Sequence, residues 1–185
     1  MSFTLRRTEI DGLIIVEPRV FGDERGFFME TYRRSEFAAL GLNAEFVQDN
    51  HSRSAKGVLR GLHFQKRRPQ AKLVRVVRGS VFDVAVDLRR SSPTFGRWYG
   101  IELSEENRLQ FYIDAGFAHG FLALSEGAEV CYKCTDYYDP HDEGGVRFDD
   151  PQLAIAWPIE KVNNLIVSDK DRRWPLLREL DFVFD

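Results

Sequence analysis

The 185-residue chain is short of several things at once, and each shortage excludes a class of protein. It has no run of 18 apolar residues, so no helical membrane span is expected. Its start, Met1-Ser2-Phe3-Thr4-Leu5-Arg6-Arg7, lacks the apolar stretch of a secretory signal, which leads to the expectation of a soluble, cytoplasmic protein. Prolines number only 7, and with 43% hydrophobic and 30% charged residues neither disorder nor a collagen-like repeat fits. Glycine-rich phosphate cradles, Gly-x-Ser-x-Gly and His-Glu-x-x-His are all missing, and no repeat, linker or low-complexity tract is visible. The length suits one domain, residues 1–185, with a single sizeable core.

Cysteine is equally scarce. Cys131 and Cys134 are spaced as Cys-x-x-Cys, which on a helix marks a redox pair and, twice over, a zinc site. Their surroundings, 128–138, read instead as a strand, where residues three apart face opposite ways. Two reduced, structural thiols are therefore expected.

What the chain does have is a basic centre. The formal charge is −3, yet residues 53–90 hold eleven Lys/Arg against Asp83 and Asp87, leaving −12 for the rest. A net +9 stretch inside an acidic protein favours a small anionic ligand over a nucleic acid, although a solvated basic face would carry the same charge. Short β-branched runs recur between Gly, Pro, Asn and Asp: 13–16, 73–77, 81–88, 98–103, 109–113, 117–124 and 130–138. Helical candidates are few: Ser35–Gly41, with a Ser cap and a terminal Gly, and a turn or two over Trp174–Leu180. The pattern predicts an all-β sandwich or barrel.

Gly79-Ser80 between two such runs predicts a two-residue hairpin, with Arg78 opposite Val81. Lys72, Val74, Val76, Asp83, Ala85 and Asp87 then share one face, as the wall of a polar cavity would. Leu73, Val77, Phe82, Val84, Val86 and Leu88 share the other, an ordinary core. In Leu59-Arg60-Gly61-Leu62-His63-Phe64-Gln65, strict alternation would separate Arg60 from His63, so a shared ligand requires a break, and Gly61 is the place for a bulge. Lys72 buried in such a cavity calls for an anion or a developing negative charge. Tyr132 and Tyr138 have matching parity for one wall, and Ser168-Asp169-Lys170-Asp171 can supply a carboxylate to His63. Metal is not expected: metal-binding cupins usually carry His-x-His, and Gln65 stands where the second nitrogen belongs.

Seven strings in order resemble the dTDP-4-dehydrorhamnose 3,5-epimerase family: 23–28 (DERGFF), 48–50 (QDN), 59–65 (LRGLHFQ), 70–76 (QAKLVRV), 115–121 (AGFAHGF), 132–138 (YKCTDYY) and 168–171 (SDKD). The resemblance implies a metal-free, cofactor-independent cupin jelly roll, a homodimer acting on a nucleotide-linked 4-keto-6-deoxyhexose, with neither nucleic acid nor membrane as partner. It implies His63 as base with Asp171 against it, Tyr132 as acid on the opposite side of the sugar, and Lys72 near the ketone oxygen with Asp83 beside it. Arg25, Glu30, Gln48, Asp49, Asn50, Arg60, His119, Glu143 and Lys170 map to ligand-binding positions, Arg25 and Glu30 as loans from the second subunit, and Tyr138 to the residue stacking on the nucleobase. Asp114 departs from the family's usual proline before Ala-Gly-Phe-Ala-His-Gly-Phe. A C3-only or C5-only epimerase, a non-catalytic nucleotide-sugar-binding cupin and a metal-dependent cupin enzyme are the alternatives.

Overall fold

The computed structural model describes residues 2–185. Fourteen strands dominate it: β1 (Phe3–Arg7), β2 (Leu13–Pro18), β3 (Val20–Asp23), β4 (Gly26–Met29), β5 (Gln48–Ser54), β6 (Val58–Gln65), β7 (Lys72–Arg78), β8 (Ser80–Asp87), β9 (Trp98–Ser104), β10 (Gln110–Ile113), β11 (Phe117–Ala123), β12 (Ala128–Cys134), β13 (Glu143–Gly145) and β14 (Ile166–Val167). Two short helices, α1 (Arg34–Ala39) and α2 (Asp169–Arg172), accompany them. One sheet runs β1-β2-β10-β7-β12-β5 and the other β13-β6-β11-β8-β9, with β14 added in parallel to β6. β3 and β4 form a separate two-stranded hairpin. This is the all-β, jelly-roll type of architecture that was expected. Among the described residues no helix is long and apolar enough to cross a membrane.

The period of two along each strand distributes side chains among three cores. On β11, Phe117, Phe121 and Ala123 point between the sheets, whereas Ala118 and Leu122 pack against the segment 146–184 that covers the second sheet. On β7, Val74 and Val76 point inward and Leu73 outward, beneath Phe37 of α1 and Leu42. Every strand of this kind needs apolar residues on both faces, which is why these segments read as nearly continuous hydrophobic runs.

The expected β7–β8 hairpin does not form. β7 pairs with β10 and β12, β8 pairs with β9 and β11, and Gly79 (φ +71°) is a corner where the chain crosses from one sheet to the other. A Cβ at Gly79 would run into Ser125. The inner face survives the correction, because Val74 and Val76 meet Val81 and Ala85 across the gap between sheets instead of within one. The supposed common outer core does not: Leu73 and the trio Val84, Val86, Leu88 belong to opposite flanks of the sandwich. Asp87 also leaves the cavity, its carboxylate taken up by Arg89, Ser92 and Thr94.

Two boundaries shift as well. α1 is capped by Arg33, not by Ser35, and no side chain bonds its first turn. β12 stops at Cys134 instead of continuing to Tyr138, because Asp136 turns back to accept from the Tyr137 N–H and from Arg68. Over Trp174–Leu180 only a 3-10 turn forms, at Leu177–Glu179.

Candidate active site

The strand β6 carries the anticipated break. Opposite it, β11 advances two residues from His119 to Phe121 while β6 advances three from His63 back to Arg60. Leu59 and Leu62 consequently both enter the outer core, and Arg60 and His63 both line the inter-sheet cavity. Gly61 sits at the bulge with φ +119°, where a Cβ would lie 2.7 Å from the Gly120 Cα and 2.8 Å from the His119 carbonyl oxygen. The Gly61–Leu62 peptide is cis. Only glycine satisfies both the backbone conformation and the close approach.

The cavity has two lobes, of about 500 and 280 Å³, and His63, Lys72 and Tyr132 line both. Together they fall in the range of roughly 300–1,000 Å³ common for small-molecule sites. Arg60, His119, Lys170 and Asp171 line the larger lobe, and Gln48, Asn50, Tyr138 and Glu143 the smaller. The imidazole and the phenol therefore face one common space.

His63 Nε2 lies 2.6 Å from Asp171 Oδ1, brought there by α2, whose first turn is capped by the Ser168 hydroxyl accepting from the Asp171 N–H. The Gly61 N–H donates to Asp171 Oδ2 at 3.3 Å and the Trp174 indole N–H to Oδ1 at 3.3 Å. Burial by itself would raise the Asp171 carboxyl; the His63 hydrogen bond and charge, the Gly61 N–H and Ser168 outweigh it and hold the group below the usual carboxylate range. An ionised carboxylate accepts a hydrogen bond from Nε2–H, so in the neutral ring Nδ1 is the nitrogen with a free lone pair.

Across the cavity, burial pushes the Tyr132 phenol above its ordinary value, Cys134 adds to this and Arg60 opposes it. Burial pushes the Lys72 ammonium down, against the pull of Cys134, Asp83 and Glu143. Beside Lys72, Asp83 is fully buried and its two carboxylate oxygens accept from His119 Nε2 at 2.9 and 3.0 Å. Burial lowers the His119 imidazole, Asp83 resists this, and Lys72 and His63 add to the lowering.

At the mouth, Tyr138 donates its hydroxyl to Glu143 Oε2 (3.1 Å), Lys170 pairs with the same carboxylate, and the Tyr138 N–H donates to Gln48 Oε1 (2.9 Å). Arg60 Nε donates to Ser54 Oγ at 3.0 Å.

Four sequence candidates do not line this cavity in the chain itself; one is Asp83, fully buried behind His119 and absent from the walls of both lobes. Asp49 alternates with Gln48 and Asn50 on β5 and so projects from the outer face, paired with Lys133 at 2.8 Å, beside a separate cleft that also holds Arg75 and Cys131. Arg25, at the tip of the β3–β4 hairpin, pairs with Asp23, and Glu30 pairs with Arg33; neither lines either lobe. Asp114 lies in the turn before β11, accepting from the Ala115 N–H at 2.8 Å. Cys131 and Cys134 are both free thiols on opposite faces of β12, and only Cys134 lines the cavity. Among the described residues no three His, Cys, Asp or Glu side chains group as metal ligands.

Two residues at the site carry no motif. The Ser52 hydroxyl, buried without a hydrogen-bond partner among the described residues, lines the larger lobe. Trp174 reaches Asp171 from three residues further on, and that spacing is its only sequence signal.

The chain is similar to known proteins along nearly its whole length. Residues 7–179 match the family model of dTDP-4-dehydrorhamnose 3,5-epimerase. The dTDP-4-dehydrorhamnose 3,5-epimerase of Methanothermobacter thermautotrophicus is 57% identical over 178 residues, covering 96% of either chain. The crystal structure of dTDP-6-deoxy-D-glucose-3,5-epimerase from Legionella pneumophila, in complex with dTDP-4-keto-L-rhamnose, superposes with a TM-score of 0.94 at 50% identity, covering 99% of this chain and 98% of that one. A 3'-monoepimerase from Streptomyces bikiniensis in complex with dTDP-quinovose is more distant, with a TM-score of 0.84 at 38% identity over 92% of this chain and 86% of that one. Matched along nearly its whole length by model, sequence and structure, the chain belongs to the dTDP-4-dehydrorhamnose 3,5-epimerase family.

Proposed function

We propose that this enzyme inverts C3 and C5 of a dTDP-linked 4-keto-6-deoxyhexose, of the dTDP-4-dehydro-6-deoxy-glucose type, with His63 as base and Tyr132 as acid. The observation that carries the reading is that these two side chains line the same two lobes of one cavity, with Lys72 beside both. The C4 ketone acidifies the neighbouring C–H bonds, because the electron pair released at C3 or C5 delocalises onto oxygen. His63 Nδ1 takes the proton, the pair moves to the C4 oxygen as an enolate, and Asp171 stabilises the imidazolium so formed. A proton returned from the other face inverts the carbon. Tyr132, held protonated by burial, is suited to give it and to recover one from solvent.

Lys72 is suited to the enolate oxygen. Burial disfavours its charge in the cavity, and an oxyanion forming nearby restores it, so the interaction is strongest where the negative charge develops. Asp83, held by His119, places a favourable negative charge near that ammonium. Gln48, Asn50, Arg60, Glu143 and Lys170 serve the nucleoside diphosphate, and Tyr138 offers a half-exposed ring for the base.

The reading treats residues 1–185 as one domain working as a homodimer. Phe21, Phe27 and Phe28, between 50% and 66% exposed on the β3–β4 hairpin, form an apolar surface suited to a second copy, which is where Arg25 and Glu30 would find a cavity to serve. Asp49 would take part only through its backbone or across that interface. Two free thiols fit the reducing cytoplasm.

The test is proton NMR of the product formed from dTDP-4-dehydro-6-deoxy-glucose in deuterated water. Deuterium at both C3 and C5 is expected. Deuterium at one carbon would make it a single-centre epimerase, and none at either would make it a binder.

A further inference from the structure

The indole of Trp174 stands behind His63 rather than in front of it. Its Nε1 donates to Asp171 Oδ1, the same oxygen that His63 Nε2 approaches at 2.6 Å, so one carboxylate oxygen is shared by two donors. The ring is edge-on to the imidazole, with centroids 6.2 Å apart. It is seated on bare backbone: Gly145 pairs with His63 in the β13–β6 register, and a Cβ there would run into the indole. Lys170 Nζ lies 5.7 Å above the ring centroid on the same short C-terminal segment. Asp171 is 4% exposed, so its charge is answered by protein donors more than by water.

We propose that Trp174 is a positioning residue that sets the basicity of His63 through Asp171, with Gly145 providing its seat. The inference rests on the reading of His63 as the base. An N–H donated to Oδ1 draws charge from the oxygen that faces the imidazole and weakens its stabilisation of the imidazolium. Without it the carboxylate concentrates its charge on His63, and the ring becomes more basic. The indole also fixes the carboxylate plane, so its loss loosens the angle at which Nδ1 meets the substrate carbon.

The test is the pH dependence of kcat/KM for solvent deuterium uptake by the full-length enzyme. In Trp174→Phe the acid limb should move up by roughly half to one pH unit, with kcat down about tenfold and KM within about twofold. The same shift is expected when Trp174 is replaced by 3-benzothienylalanine, which keeps the shape of indole and lacks its N–H. Gly145→Ala, which displaces the ring, should shift the limb in the same direction. If the benzothienyl enzyme, folded and active, keeps the wild-type acid limb, the indole N–H has no such role and Trp174 is packing alone. His63→Ala, assayed in parallel, separates the two levels: persistent exchange there sinks the base assignment itself, whereas abolished exchange with an unmoved limb in the Trp174 variants sinks only this inference.

Discussion

The space between the two sheets is filled differently on its two sides. Towards β2, β10, β8 and β9 it is closed by Leu13, Phe111, Ile113, Val81 and Leu103, each at most 1% exposed. Towards β5, β12, β6 and β13 it stays open and is lined by Asn50, Tyr132, His63 and Glu143, with Lys72, Asp83 and His119 along the seam. The same period-two geometry builds both sides. Only the residues at inward positions change, from chains that gain by leaving water to groups that need a partner inside. One half therefore holds the sheets together and the other is left free to bind.

The sharpest way to break this division is to cut the open side. His63→Ala should lower deuterium uptake into substrate by ~10³-fold or more while leaving nucleotide binding close to wild type. Exchange at the normal rate in that variant would mean another group is the base. Cutting the closed side should do the reverse. Phe111→Ala, at a fully buried position tilted against Tyr99, should cost about 3–5 kcal/mol in urea or thermal unfolding. Its exchange rate per folded molecule should change little, and a large kinetic loss without destabilisation would blur the division.

A finer cut separates the two faces of the sugar. Tyr132→Phe should keep proton abstraction while lowering completed inversion by ~10²-fold, read as deuterium in recovered substrate against inverted product. Equal loss of both signals would remove Tyr132 from the donor role. The smallest effect lies on the seam. Burial keeps the His119 imidazole below its ordinary value, so the unfolded chain binds a proton more readily than the folded one once the pH drops below about 6.5. The associated stability is present above that pH and declines as pH falls towards the folded value. Urea midpoints at pH 7.5, 6.5 and 5.5 should therefore fall less steeply in His119→Gln than in wild type. Parallel lines for the two proteins would show that this titration does not contribute.

Much of this was legible in the sequence where local rules decide. The bulge at Gly61 followed from a conflict of parity between Arg60 and His63, and the opposed cysteines followed from their spacing on β12. The Gly79 corner was not legible, because a glycine between two β-branched runs looks the same whether the strands fold back on each other or part into facing sheets. The choice is made by β10, β11 and β12, which are distant in sequence and claim the edges of β7 and β8. That the Asp49 side chain leaves this cavity has a simpler reason: a string match carries three neighbours together, and a strand sends the middle one the other way. Trp174 escaped notice because its partner is a carboxylate that matters only through a histidine 108 residues earlier.

That separation has a consequence for how the molecule comes into being. On the ribosome the imidazole emerges early, and its counter-charge arrives only with the segment that wraps the second sheet. A nascent chain caught in between holds a cleft whose imidazole has no counter-charge, so activity should appear only once Asp171 has joined the fold. By the same logic, a protease nick that released the wrap would silence the enzyme before the sandwich itself came apart.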